Sequence, residues 1–369
     1  MPSYHNFVRP PKPERAGEEM YLPPGQMPEA VPHHHALRRW RMPSWAPQTF
    51  GYLLSLVCLL WVLHGYPIGD LISNIRALDF RWVVLAVGTD LSVYLIHAWR
   101  WDTLLAPVVR LGFWRTVQAI YIGLFANEVL PLRTGELIRC YLLAHWNNLR
   151  TSLALASAAV ERLIDGFWML ACFLITASIV RGIPTDVMIV VQIIGVVMVF
   201  CAVGLAWIIM RRHEAHAVVS ESRWAATLRH VIEGLHLMGN PRTLGKTAIV
   251  SLLYLALQFV SVWALMKAYG LDLSIWAAAG VLVIVRFLTV IPNAPGNVGL
   301  FQLACVVALG LFDVEKNDAK TFSFIMFFAM TVPLLIGGAI AVALTGLNIA
   351  ELRDRARHGI QSVHRGPAS

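Results

Sequence analysis

Apolar and polar positions alternate along the chain in blocks, not in turns of a surface helix. After a polar opening stretch of 49 residues, runs long enough to cross a bilayer predict full helical spans near 50–66, 82–99, 153–180, 187–210, 247–267 and 322–346, since a span needs about 20 apolar residues. Two further apolar stretches, 113–144 and 275–312, are interrupted at their middles. The first breaks at Asn127-Glu128-Val129-Leu130-Pro131-Leu132-Arg133-Thr134-Gly135-Glu136, and the second at Pro292-Asn293-Ala294-Pro295-Gly296-Asn297-Val298-Gly299. Proline removes a backbone donor and glycine loosens a helix, so each stretch is expected to be two half-helices meeting at a bend. Pro131, Gly135, Pro292 and Pro295 mark these hairpin breaks.

The distribution of basic residues predicts orientation. With the N-terminal tail in the cytoplasm, the loops 97–115 (Arg100, Arg110, Arg115), 145–152 (Arg150) and 211–246, and the tail carrying Arg353, Arg355 and Arg357, fall on the same side. Segments 181–186 and 313–321, the latter with Lys316, Lys320, Asp313, Glu315 and Asp318, fall outside. This is consistent only if both broken stretches return to the side they entered. The expected fold is therefore all-α: a polytopic membrane helix bundle of about six full spans plus two re-entrant helical hairpins. Span, span, hairpin, span over 50–180 is followed by the same order over 187–346 in opposite orientation, the inverted-repeat plan of secondary transporters. The expected organisation is a disordered cytoplasmic tail (1–49), a transmembrane domain (50–350) and a basic cytoplasmic tail (351–369), in the cell's inner (plasma) membrane.

Composition reinforces this picture. The 369 residues are 57% hydrophobic and only 14% charged, with a mean hydropathy of +0.61, whereas soluble domains carry about 25% charged residues. The 13 tryptophans suit the wet–apolar boundary of a bilayer. A net charge of +8 is explained by basic residues at segment ends, so no nucleic-acid partner is expected. The first apolar run begins near Phe50, and no cleavable signal peptide is expected ahead of it. Cys58, Cys140, Cys172, Cys201 and Cys305 lack paired-ligand spacing and read as packing residues. His33, His34 and His35 lie in the polar tail, and no metal or other cofactor is expected. His97, His145 and His230 sit at cytoplasmic segment ends and read as interfacial. The stretch 223–239 reads as an amphipathic helix on the inner membrane surface. No nucleophile elbow, zinc-protease helix or phosphate-binding loop is present, so the chain is not expected to be an enzyme.

The chemistry of interest is ionic, because charges inside a membrane are expensive. Glu128, Arg133, Glu136 and Arg139 flank the first break, and Glu136 and Arg139 can pair at their three-residue spacing. Glu161 and Asp165 share one helix face while Arg162 points about 100° away. The two carboxylates call for a cation between them, supplied by Arg133 or Arg139 across the hairpin. Arg286 stands alone in VLVIVRFLTVIP. It needs an anion, either a carboxylate or a lipid phosphate, and the helix that begins after Pro295-Gly296-Asn297-Val298-Gly299 offers free backbone N–H groups nearby.

The ordered set HAWRWDTLL, GLFANEVLPLRTGELIRCYLL, AAVERLIDG and VIPNAPGNVGLFQ resembles the flippase-like transmembrane family that includes the membrane domain of lysylphosphatidylglycerol synthases. The resemblance covers residues 50–346 and implies handling of a phospholipid or lipid-linked headgroup between leaflets. By that match, Pro131, Arg133, Gly135, Glu136 and Arg139 belong to a first signature, Glu161, Arg162 and Asp165 to a second, and Pro292, Pro295, Gly296 and Gly299 to a third. Gln302 stands where the family pattern usually ends in Glu, and Asn297 where a second consecutive glycine is common. No soluble transferase domain is expected after the membrane segments, so lysyl transfer is not expected. The expected substrate-binding set is Arg133, Glu136, Arg139, Glu161, Arg162, Asp165, Arg286, Gly296, Asn297, Gly299 and Gln302. Membrane lipids, with anionic headgroups, are the expected partners. The alternatives are a non-transporting accessory to a membrane lipid-modifying enzyme or glycosyltransferase, and a membrane enzyme using Glu161 and Asp165 as acid and base.

Overall fold

The computed structural model describes residues 46–66, 68–130, 134–179, 240–289 and 294–346, together with the isolated positions 189, 196, 200 and 204. All but those four positions of the expected span at 187–210 lie outside the described residues, as do the amphipathic stretch 223–239, Pro131, Arg133, Pro292, Cys201, His230, residues 1–45 of the first tail and the whole of the last. Residues 46–49, expected in the disordered tail, are helical.

Every regular element among the described residues is helical. In chain order these are α1 (Ala46–Leu63), α2 (Ile68–Arg76), α3 (Phe80–Leu105), α4 (Phe113–Val129), α5 (Gly135–Trp146), α6 (Thr151–Ile179), α7 (Pro241–Tyr269), α8 (Ile275–Leu288), a 3₁₀ turn (Pro295–Asn297), α9 (Leu300–Gly310) and α10 (Lys316–Thr345). Local sequence sets many of the ends. Asp79, Asn240 and Ser274 cap α3, α7 and α8 by accepting from backbone N–H groups, Pro241 sits in the first turn of α7, and α7 and α10 stop at left-handed Gly270 and Gly346. By length and composition α3, α7 and α10 can each cross a membrane.

Both interrupted stretches are helix pairs. Helices α4, α5, α8 and α9 hold 17, 12, 14 and 11 residues, or about 25, 18, 21 and 16 Å at 1.5 Å per residue. None reaches across the roughly 30 Å hydrocarbon layer. Helix α4 packs on α5, and α8 on α9. The first pair closes tightly at glycine: a Cβ on Gly135 would collide with the carbonyl oxygen of Gly123, and one on Gly123 would lie 2.6 Å from Arg139 Cβ.

Helices α3 and α7 form the most extensive interface and run antiparallel. Trp82 meets Trp263 edge-on at 5.4 Å, Ser261 Oγ donates to the Ala86 carbonyl at 2.7 Å, and His97 meets Tyr254 at 5.4 Å. Around this axis α4 packs on α3 and α10, α8 on α7 and α6, α5 on α6, and α9 on α10 and α1. The larger apolar core joins α7, α8, α9 and α10, with Phe322, Met326, Val262, Val281 and Leu309 fully buried. A second joins α3, α4, α5 and α6 around Trp101, Ile120 and Leu143.

Two boundaries differ from expectation. The stretch 97–115 is not a loop from its start: α3 continues to Leu105, so His97 and Arg100 are helical and buried. Likewise α10 begins at Lys316, and Lys320 is buried with its Nζ donating to the His64 carbonyl at 2.9 Å. In both places charged residues that resemble loop in a hydropathy profile are neutralised or solvated by protein groups. The short α2 is not foreshadowed by hydropathy either. Its nine residues, IGDLISNIR, are too few and too mixed to register as a span. Beyond the spans, exposed Asp272 accepts a hydrogen bond from Lys267, which holds its carboxyl below the usual carboxylate range.

Candidate functional site

The charged residues converge where α3, α5, α6 and α7 meet. Arg100 is 1% exposed and lies between the two carboxylates of α6. Its Nε donates to Glu161 Oε1 at 2.9 Å, its Nη1 and Nη2 reach Asp165, and its Nη1 lies 3.4 Å from Ser251 Oγ. The guanidinium carbon stacks 4.4 Å over the Tyr254 ring. Arg139, also 1% exposed, donates to Glu161 Oε2 at 3.0 Å and to Glu136 Oε2 at 2.9 Å, and stacks 4.7 Å over Trp101. Trp101 in turn donates its indole N–H to Ser157 Oγ at 2.9 Å. At the rim, half-exposed Arg162 bonds Glu136 and approaches Asp165 at 3.9 Å. His97 completes the group with Nε2 2.7 Å from Glu161 Oε1 and 2.9 Å from Arg139 Nη1.

This corrects one sequence expectation. The cation between Glu161 and Asp165 is Arg100 of α3, while Arg139 pairs with Glu161 and Glu136 and makes no ion pair with Asp165 among the described residues. His97 is a member of the network and not an interfacial residue. Both were hidden for one reason: their ionic partners lie 42 to 65 positions away, beyond the reach of local periodicity. A signal was present nonetheless. His97 and Arg100 stand one turn apart in HAWRWD, and α6 carries an excess of acid on one face.

The second break is built differently. Ala294 N donates to Ser55 Oγ at 2.9 Å, and Gly299 takes φ +84°, where a Cβ would collide with the Ser55 carbonyl. Buried Gln302 accepts from Gly299 N at 2.7 Å and so caps α9. Its amide oxygen is thereby committed to the bend. Pro295 opens the 3₁₀ turn, Asn297 has φ +55°, and Gly296, at φ +71°, lies against Glu128 at the end of α4, so the two breaks touch.

Arg286 lies two residues before the end of α8 and is partly exposed. Its Nη2 donates to Gln258 Oε1 at 2.5 Å, and it makes no ion pair with a described residue. Gln258 is 4% exposed and its Nε2 has no hydrogen-bond partner among the described residues. Buried Asp90, which accepts from Tyr94 at 3.2 Å, is within electrostatic reach of Arg286. Asp90, a charge inside the span expected at 82–99, and Tyr94 stand one turn apart, a local signal that the sequence expectations missed, whereas Gln258 is a neutral polar residue that nothing in its spacing marks.

Broken apolar helices, long spans and a buried ion-pair network define an α-helical integral membrane protein. The chain belongs to the family described as the lysylphosphatidylglycerol synthase TM region, which matches residues 48–338. It is 22% identical over 330 residues to a UPF0104 membrane protein of Methanothermobacter thermautotrophicus, covering 81% of this chain and 96% of that one. It is 25% identical over 360 residues to Glycosyltransferase AglD of Haloferax volcanii, covering 83% of this chain but only 56% of that protein. A second UPF0104 membrane protein of M. thermautotrophicus is 19% identical over 287 residues, 71% of this chain and 82% of that one.

Proposed function

We propose that this protein binds a phospholipid or lipid-linked headgroup where its two helix hairpins meet, and translocates it between leaflets of the plasma membrane with both tails in the cytoplasm. The observation that carries this reading is Arg286: a guanidinium at a broken helix, held by a neutral amide, with a buried amide N–H beside it that has no described partner. Two such donors suit the oxygens of a phosphate. The network around Arg100, Arg139 and Glu161 instead holds the first hairpin in the bundle, because its buried members are already paired. Arg162 and Glu136, at its exposed rim, remain open to a headgroup. Arg133 belongs to the same reading by its position in the first break.

An inverted repeat underlies the scheme. Exchanging α3 with α7, α4 with α8, α5 with α9 and α6 with α10 carries the set of interfaces among these eight helices onto itself. The equivalent helices α3 and α7 run antiparallel, as an axis in the membrane plane requires.

The test is reconstitution into liposomes with fluorescent anionic, zwitterionic and polyprenyl-linked lipids, scored for movement between leaflets. Arg286→Gln should abolish stabilisation by anionic lipid yet yield folded protein, and Arg286→Lys should weaken it by losing the planar fork. Stabilisation of Arg286→Gln equal to that of the wild type would remove this residue as the headgroup clamp. A second reading, a non-transporting partner of a membrane glycosyltransferase or lipid-modifying enzyme, is favoured by the match to AglD and by the closed pairing of Arg100, Arg139 and Glu161. Absence of lipid movement for every lipid, with anionic stabilisation retained, would support it.

A further inference from the structure

We propose that His97 is a proton-binding site whose occupancy decides whether Arg139 of the first hairpin is hydrogen-bonded to α3. Its Nε2 is 2.9 Å from Arg139 Nη1 and 2.7 Å from Glu161 Oε1. A guanidinium only donates and a carboxylate only accepts, so one ring nitrogen cannot bond both. With a lone pair on Nε2 the ring accepts from Arg139 of α5 and turns that lone pair toward Glu161. With hydrogen on Nε2 it donates to Glu161 of α6 and faces Arg139 N–H against N–H. The two arrangements are alternatives, and protonation selects between them.

The remaining neighbours do not relieve the conflict. Tyr254 of α7 meets the ring edge-on at 5.4 Å, and Arg100, one turn along α3, is committed to Glu161 and Asp165. Arg100, Arg139 and Arg162 face Glu136, Glu161 and Asp165, so the six charges balance while His97 is neutral. Every carboxylate here is held by arginine, leaving His97 as the member whose side-chain type ordinarily changes charge between about pH 5 and pH 8. A proton taken up at the ring adds one positive charge beside Arg139, ends the Arg139–His97 bond and fastens the ring to α6. Helix α5 then keeps its carboxylate pairs and the stacking of Arg139 on Trp101, but loses its side-chain hydrogen bond to α3.

This inference stands apart from the headgroup reading, and its tests contain no lipid. The full chain, ¹⁵N-labelled at histidine, is recorded in detergent from about pH 8 to pH 5, the range in which histidine changes charge. The signal missing from His97→Gln belongs to His97. It should show a bare Nε2 and protonated Nδ1 at the alkaline end, and a doubly protonated ring at the acid end. A ring that stays neutral throughout, or carries hydrogen on Nε2 throughout, overturns the proposal. Should His97→Gln not fold, hydrogen exchange on the wild type serves instead. After correction for intrinsic rates, protection of residues 137–144 should fall relative to the core of α3 on acidification, and an unchanged ratio overturns the proposal.

Discussion

Arg100 offers the sharpest test of how the first hairpin is held. Arg100→Ala removes the bonds to Glu161 and Asp165 and the stacking on Tyr254 at once. Glu161 keeps Arg139 at 3.0 Å, but Asp165 is left with Arg162, 3.9 Å away on a half-exposed side chain. Stranding a buried charge costs about 3–5 kcal/mol, or roughly a hundredfold to several thousandfold in the folding equilibrium at about 1.4 kcal/mol per tenfold. Arg162→Ala removes an ion pair at the rim and should cost about 1 kcal/mol or less. The assay is reversible unfolding by SDS in mixed micelles, comparing each variant with wild type. Asp165→Asn should recover part of the loss in an Arg100→Ala background, because a neutral amide needs no counter-charge. Equal destabilisation by Arg100→Ala and Arg162→Ala, or no recovery in the double variant, would refute the assignment.

Two further outcomes are expected. Gly135→Ala forces a methyl onto the Gly123 carbonyl and to 2.6 Å from Asn127 Oδ1; it should lower stability by about 1–3 kcal/mol as overpacking does, while Gly245→Ala, with nothing within 4 Å, should be neutral or stabilise by up to about 1 kcal/mol, both read by thermal unfolding in detergent. Exposed Lys316 at the start of α10 tests orientation: Lys316→Cys should react with an impermeant thiol reagent in intact cells, and reaction only after permeabilisation would reverse the proposed topology.

What the sequence reveals about this fold depends on whether the relevant physics is local. Both helix breaks are legible because proline and glycine act on their own backbone, and the structure interrupts helices at Leu130 and Thr289 as those residues require. The Glu136–Arg139 pair is legible for the same reason, being three residues apart on one helix. The end of α3 is not. Hydropathy takes His97, Arg100 and Asp102 as the start of a loop, yet the helix continues because acids on α6 compensate Arg100 in space. Gln302 is the converse case. Its position in the resembled motif suggests a headgroup contact, but its amide caps the helix that begins at Leu300. A motif fixes where a residue stands along the chain and leaves open which way its side chain is spent.

The two helix pairs, α4–α5 and α8–α9, are retained by different forces. Arg139 joins α5 to α6, and Arg100 ties α6 to α3, so withdrawing the first hairpin exposes unpaired charge to a medium that cannot solvate it. The second hairpin is fixed by the Ala294–Ser55 hydrogen bond, by the close approach of Gly299 to α1, and by apolar packing of α9 against α10. Among the described residues, separating those surfaces breaks hydrogen bonds and apolar contacts but none of the ion pairs described above. Lipid tails satisfy an apolar helix face nearly as well as another helix does, so the energetic barrier to displacing the second hairpin is the smaller one. The partly exposed guanidinium, Arg286, sits on that second hairpin, next to an amide whose Nε2 has no described partner. Among the described residues the bundle therefore combines one helix pair locked by ion pairs with one that is tied by hydrogen bonds, Arg286–Gln258 among them, and by apolar packing.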